Sequence, residues 1–203
     1  MNFEEFCRPQ TSADLHFADQ LVANQFANIA TGKLDSGVVL VGPPGTGKSA
    51  AAKVLADQRN QHADPLFQVP YVFEGKLLAS FTEIENTLNA LLGSVVFPFI
   101  VINEFDQMPP STLNSLQAFW NVHSHHCGLV LTTNKLSAIS AAMRSRLLVL
   151  DVQCPPSSCL LPVAQAFLRS RGKAIHDAKV LNVLAAAGND MRTRIFAIDQ
   201  LAI

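Results

Sequence analysis

Residues 36–58 read SGVVLVGPPGTGKSAAAKVLADQ, and nothing else in the chain restricts its fold so tightly. Val38 to Val41 is a short, β-branched run, which predicts a buried strand. A glycine-rich turn follows, and an alanine-rich helix is predicted from about Lys48. The turn itself, Gly42-Pro43-Pro44-Gly45-Thr46-Gly47-Lys48-Ser49, fits the spacing G-x-x-x-x-G-K-[ST]. Small residues let backbone N–H groups wrap a β-phosphate, and Lys48 reaches the β- and γ-oxygens. Ser49 offers a hydroxyl to Mg²⁺, and the helix N-terminus faces the negative charge. A strand before and a helix after are the context that separates this motif from a chance glycine turn.

A second motif, FIVINEFDQMP, occupies residues 99–109. An apolar run climbs to Ile102, and Glu104 stands just past it, placed to orient or activate an attacking water. Asn103 stands where a metal-linked carboxylate is expected. Its amide oxygen can accept a hydrogen bond from a metal-bound water or from Ser49, but it brings no charge. A flipped amide would turn its NH₂ toward the cation. At about 5 Å and an effective dielectric of about 20, one charge interaction is on the order of 3 kcal/mol. The expectation is weakened Mg²⁺ binding and slow turnover. Asp106 lies beyond Glu104 in the exit loop and is not expected to take the same place.

The rest of the chain alternates. Strands are predicted at 69–73, 97–103, 128–133 and 147–152. Helices are predicted at 80–93, from Pro109 and Pro110 to about Val122, and from Ser137 to Met143. Such alternation gives a parallel α/β sheet covered by helices. The pattern changes at QCPPSSCLLP (153–162), a linker by its prolines and serines. Beyond it, 160–170, 177–187 and 190–202 read as amphipathic helices.

Composition narrows the classes. Hydrophobic residues make up 49% and charged residues 15%, which excludes a disordered chain. No apolar stretch reaches the roughly 18 residues that cross a membrane. The polar start is no signal peptide, and four cysteines are too few for a disulfide framework, so a reduced cytoplasmic protein is expected. The formal net charge of -1 argues against a globally basic nucleic-acid binder. His123, His125, His126 and Cys127 crowd one loop, too tightly to wrap a zinc ion.

In its motifs and their order the chain resembles the AAA+ ATPases. Among them it resembles the clamp-loader small subunits of replication factor C and phage type. FCRPQTSADL (6–15) is similar to the opening segment that packs near adenine, which implies nucleotide contacts for Arg8 and Pro9. LTTN ends in Asn134, at the sensor position on the tip of a strand. AAMRSRLLVLDV (141–152) puts Arg146 at the arginine-finger position, with Arg144 as the alternative. AGNDMRTRIFAIDQL (187–201) puts Arg192 at the second sensor position, with Arg194 as its competitor.

The resemblance implies an AAA+ α/β domain over 1–153, a parallel sheet with helices on both faces, and a three-helix lid over 154–203. It implies ATP and Mg²⁺ as ligands, with Ser49 and Asn103 on the metal side. It implies hydrolysis of ATP to ADP and phosphate by Glu104, Asn134, Arg192 and an Arg146 supplied by a neighbouring subunit. The implied setting is an oligomer with ATP sites at its interfaces, acting in ATP-dependent assembly on DNA during replication. DNA and a sliding clamp or another replication protein are the implied partners, and no membrane is involved. The alternatives are a helicase loader, a protein-remodelling ATPase, or a nucleotide-gated scaffold with little turnover. Lys76 is the one cation near an expected DNA-facing helix. Three positions depart from the pattern: Asn103, Leu147 and Cys7. A helical collar is expected beyond the lid, where this sequence stops.

Overall fold

The computed structural model describes residues 1–61, 71–93 and 95–203. Five parallel strands form one sheet in the order β2-β3-β4-β1-β5. They are β1 (Gly37–Val41), β2 (Val72–Glu74), β3 (Phe99–Asn103), β4 (Gly128–Thr133) and β5 (Leu147–Asp151). Helices α1 (Phe3–Phe6) and α2 (Gln20–Ala30) precede the sheet. The helices α3 (Lys48–Asn60), α4 (Thr82–Leu92), α5 (Pro110–His123) and α6 (Ala141–Arg144) lie between strands. Last come α7 (Ser157–Ser170), α8 (Asp177–Ala186) and α9 (Met191–Leu201).

The period of two along each strand sends neighbours to opposite faces. Val39, Ile100, Ile102, Leu129 and Leu131 pack with Ile84 and Leu88 of α4 and with Leu116 and Trp120 of α5. Val38, Leu40, Val101, Val130 and Leu150 pack on the other face, with Phe26 and Ile29 of α2 and with Ala52 and Leu55 of α3. Both faces are therefore covered, as the unbroken apolar runs of the central strands require. A third cluster joins Phe3 of α1 to Leu160, Phe167, Val180, Leu184 and Ile198 of the last three helices.

The parallel, two-faced architecture agrees with the alternation in the sequence, and the differences are local. The helix expected at Ser137 to Met143 is split. A 3₁₀ turn covers Leu136–Ala138, and α6 begins afresh after Ser140, whose hydroxyl accepts from the Met143 N–H at 3.3 Å. Helix α7 starts at Ser157, inside the segment read as linker. Pro156 takes the N-cap position and Pro162 sits inside the helix. Helix α2 was not anticipated. Residues 69 and 70 of the predicted second strand lie outside the described residues, and β2 runs Val72–Glu74.

One buried side chain ties α3 to the sheet. The Asn60 Nδ2 donates to the Phe99 carbonyl at 2.7 Å, and its Oδ1 accepts from the Phe99 N–H at 2.8 Å. Phe99 shares its orientation with Val101, whose N–H donates to Tyr71 on the β2 side. The Asn60 amide thus imitates one more residue of sheet. Asn60→Ala leaves both Phe99 groups unpaired in the interior. The expected cost is about 2–4 kcal/mol, read from the urea midpoint; an unchanged midpoint would contradict the role given to Asn60.

Candidate nucleotide site

The carboxyl ends of β1, β3 and β4 open on one edge of the sheet, and the loop after β1 forms the floor of the site. Gly47 has φ 90°, a conformation that L side chains avoid, and nothing lies within 4 Å of the place where its Cβ would stand. Thr46 is buried, and its hydroxyl donates to the Pro43 carbonyl at 3.1 Å. Lys48 is buried as well. Its ammonium donates to the carbonyls of Gly42 at 2.9 Å and Pro43 at 2.6 Å, which folds it back on its own loop. Burial lowers the pKa of Lys48 most, the charge of Arg192 lowers it further, and Asp106 opposes both. Ser49 is exposed.

A cavity of about 470 Å³ lies beside the loop, lined by Arg8, Pro9, Thr46, Gly47, Leu160 and Met191 among others. The N-terminal segment, the glycine loop and the last helices therefore share one opening. Helix α9 docks on the loop directly: the Met191 N–H donates to the Gly45 carbonyl at 2.7 Å. Asp190 caps that helix through the N–H groups of Arg192 and Thr193. The two arginines of α9 have different surroundings. Arg192 is exposed and close enough to Lys48 for its charge to be felt. Arg194 is buried and bonds to the carbonyls of Gly188 and Pro155 and to Asn189.

At the end of β3 a chain of hydrogen bonds links three strands. The Glu104 N–H donates to Thr132 Oγ1 at 3.1 Å, and Thr132 donates to Asn103 Oδ1 at 3.2 Å. Asn103 Nδ2 then donates to Glu74 Oε1 at 2.9 Å. Asn103 is buried. Glu104 has φ 50° and ψ 46°, the left-handed region, which costs a residue with a side chain on the order of 1–3 kcal/mol. Its carboxylate lies 3.5 Å from the Lys76 ammonium. Gly75 makes room for this turn, because a Cβ there would meet the Glu104 carbonyl at 2.5 Å.

Asn134 is exposed at the tip of β4, and the 3₁₀ turn that follows begins after Lys135 with no side-chain cap. Its neighbour Thr133 donates to Asp106 at 2.8 Å. Arg146 is also exposed, immediately before β5, and donates to Asn121 of α5. The histidine-rich loop lies at the opposite end of β4. His123 stacks on Phe119, and burial pushes the Cys127 thiol up to about 12. Among the described residues no three metal-ligating side chains converge.

The loop, the open face at Gly47, the Lys48 cation and the exposed Ser49 hydroxyl fit a magnesium-bound nucleotide. Residues 38–152, more than half of the chain, match the "ATPase family associated with various cellular activities (AAA)". The chain belongs to that family. It is 24% identical over 155 residues to "Replication factor C subunit 4" of Encephalitozoon cuniculi, a match to 76% of this chain and 50% of that protein. It is 22% identical over 173 residues to "Replication factor C small subunit 2" of Pyrobaculum islandicum, a match to 79% of this chain and 51% of that protein. The chain thus spans about half the length of these curated relatives. Among solved structures, the Thermotoga maritima RuvB Holliday junction branch migration motor superposes with a TM-score of 0.68 at 19% identity. That match covers 97% of this chain and 64% of RuvB, and a mutant of the same protein gives a TM-score of 0.70 at 18% identity. The two replication factor C matches agree with the resemblance to clamp-loader small subunits carried by the motifs, and the RuvB superpositions agree with the fold.

The site contains residues that sequence reasoning passed over. Thr132 and Glu74 belong to strands other than that of Asn103; the register Glu74↔Asn103 brings in Glu74, and the pairing of β3 with β4, with Ile102 opposite Leu131, brings in Thr132. The two arginines of this AAA chain separate in a simple test. Arg194→Leu strands two buried carbonyls and should lower stability by about 2–4 kcal/mol in denaturant melts. Arg192→Ala removes an exposed side chain and should stay within about 0.5 kcal/mol of wild type, while weakening ATP binding in a fluorescent-nucleotide titration.

Proposed function

We propose that this AAA chain binds and hydrolyses ATP as a clamp-loader-like subunit, in ATP-dependent assembly on DNA during replication. The observation that carries the reading is the Lys48 ammonium, held at the glycine loop beside a cavity that the N-terminal segment and α9 also line. Incoming phosphates compete for that ammonium with two carbonyls of its own loop. A carbonyl offers only a partial charge and a phosphate oxygen a full one, so the cation turns outward on binding. The likeness to two replication factor C subunits supports the setting in replication.

In this reading residues 154–203 act as the lid over the α/β unit of residues 1–153. Arg8 and Pro9 border the base, and the loop N–H groups bind the phosphates. Glu104 accepts a proton from the water that attacks the γ-phosphorus, as the bond to the β,γ-bridging oxygen breaks. Asn134 orients that water, and Arg192 steadies the γ-phosphate. Ser49 and Asn103 would hold magnesium, which would supply charge neutralisation to the phosphates. Arg146 serves the site of a neighbouring subunit, in keeping with its exposure and its neutral partner, Asn121. Sliding clamp and primed DNA are the proposed partners, and the cytoplasm the proposed location. No described helix is long and apolar enough to cross a membrane. The slow turnover expected from Asn103 presumes that no carboxylate stands beside it. Glu74 stands 2.9 Å from its amide, so Asn103 alone is no ground for a slow enzyme.

Lys48→Ala should abolish ATP binding in equilibrium titration, and unchanged affinity would remove the nucleotide assignment. Arg146→Ala should leave ATP binding intact and suppress hydrolysis by the assembled protein. Mixing it with Glu104→Gln should recover part of the activity, because some interfaces then pair an intact Glu104 with an intact Arg146. Stimulation of hydrolysis by primed DNA tests the replication setting, and its absence would overturn that part of the reading.

A further inference from the structure

The chain Glu104–Thr132–Asn103–Glu74 has a fixed direction. A backbone N–H can only donate, so Thr132 Oγ1 must be the acceptor from Glu104. The hydroxyl keeps its proton and a second lone pair, and with the Asn103 oxygen beside it the proton is donated there. At the other end an ionised carboxylate can only accept, so Glu74 requires the Asn103 NH₂. The Glu74 end sets the orientation, and the Thr132 hydroxyl accommodates it. The Asn103 carbonyl oxygen turns toward β4, the strand between β3 and β1, and the NH₂ turns away toward β2. The flipped amide, which would present its NH₂ to a cation, is thereby excluded.

We infer that Glu74 is a positioning residue for the divalent cation, and that the acidic function of the second motif has moved from position 103 to the neighbouring strand. The inference rests on the proposed ATP site. Glu74 does two things there. It locks the Asn103 oxygen toward the β4 side, and it places a full negative charge one hydrogen bond behind that oxygen. The parallel register sets Glu74 and Asn103 side by side at the ends of β2 and β3. Glu74 is only half-buried and Asn103 is buried, so the charge keeps contact with solvent while the neutral amide occupies the dry position. The pair carries one charge and one NH₂, with the carboxylate on β2 and the amide on β3.

This arrangement changes the meaning of substitutions at 103. Asn103→Asp alone sets two carboxylates against each other with no proton between them. Glu74→Gln alone keeps the hydrogen bond, since a glutamine oxygen still accepts from Asn103, but removes the charge. The double variant Glu74→Gln/Asn103→Asp restores one charge and one NH₂ in transposed order.

The experiment uses the full chain and measures two quantities in wild type and all three variants. One is the thermal midpoint without metal. The other is the affinity for Mn²⁺ of the ATP-loaded protein, from the loss of the free-ion electron paramagnetic resonance signal. ATP binding in chelator serves as the control. Glu74→Gln should melt like wild type yet bind Mn²⁺ about tenfold more weakly, the loss of one charge that stays partly screened by solvent. Asn103→Asp should melt lower, and adding Glu74→Gln should restore the midpoint. The double variant should bind Mn²⁺ at least as tightly as wild type. The inference is overturned if Glu74→Gln leaves Mn²⁺ affinity unchanged, or if the double variant melts no higher than Asn103→Asp. Failure of the wild-type chain to bind ATP in chelator removes the nucleotide reading itself, and the inference with it.

Discussion

Everything at the site hangs on the pairing of β1 with β4 on one side and β5 on the other. Val41 lies opposite Thr133 and Asp151, so the glycine loop leaves the sheet level with the tips of its neighbours. In a parallel sheet such tips all face one way, and chemistry gathers on that edge without any loop reaching far. The register is fixed by burial. A slip of one residue in β4 would exchange Val130 with Leu129 and Leu131 between two different cores. It would also turn Thr132 away from Asn103 and break the contact between strand ends. Packing deep in the sheet thus sets the polar geometry at its rim.

Most of this was legible where the signal lies within a single element. β1, β4 and the start of α3 follow from short apolar runs and glycine punctuation, and α5 follows from its paired prolines. Helix α2 was legible too and was missed: Asp19 caps it, and Val22, Phe26, Ile29 and Ala30 recur at helical spacing. The split after Leu136 was harder to see. Ser140 begins a new helix with its hydroxyl capturing the Met143 N–H, and a serine between an isoleucine and two alanines gives little warning of that choice. Asn60 and Glu74 were not legible at all. Each acts across 29 or more positions of sequence, through a contact that needs the strand register first.

The second motif, read as one strand, looks defective, and read as two strands it does not. The question posed by Asn103 concerned only the residue that ends β3. A parallel neighbour that ends level with it doubles the set of groups that can serve the same place. Glu74 is such a group, and the hydrogen-bond chain leaves it one role with respect to the amide, that of acceptor. The two strands keep one carboxylate and one amide between them. The charge has moved outward by one strand and the oxygen that faces β4 has stayed.

The same turn treats its two neighbouring side chains, Asn103 and Glu104, differently. Asn103 is buried and bonded at both ends, so its position is set before any ligand arrives. Glu104 is bonded through its backbone, while among the described residues its carboxylate meets Lys76 across 3.5 Å, with both side chains substantially exposed. An exposed pair of this kind contributes at most about 1 kcal/mol and weakens with salt. The strain of the left-handed conformation is therefore borne by groups that do not move, namely the Thr132 hydroxyl below and the close approach at Gly75 beside it. The carboxylate itself is held lightly. In the proposed ATP site, a fixed oxygen beside a lightly held carboxylate would keep the metal contact constant while the base turns between a resting partner and a water molecule.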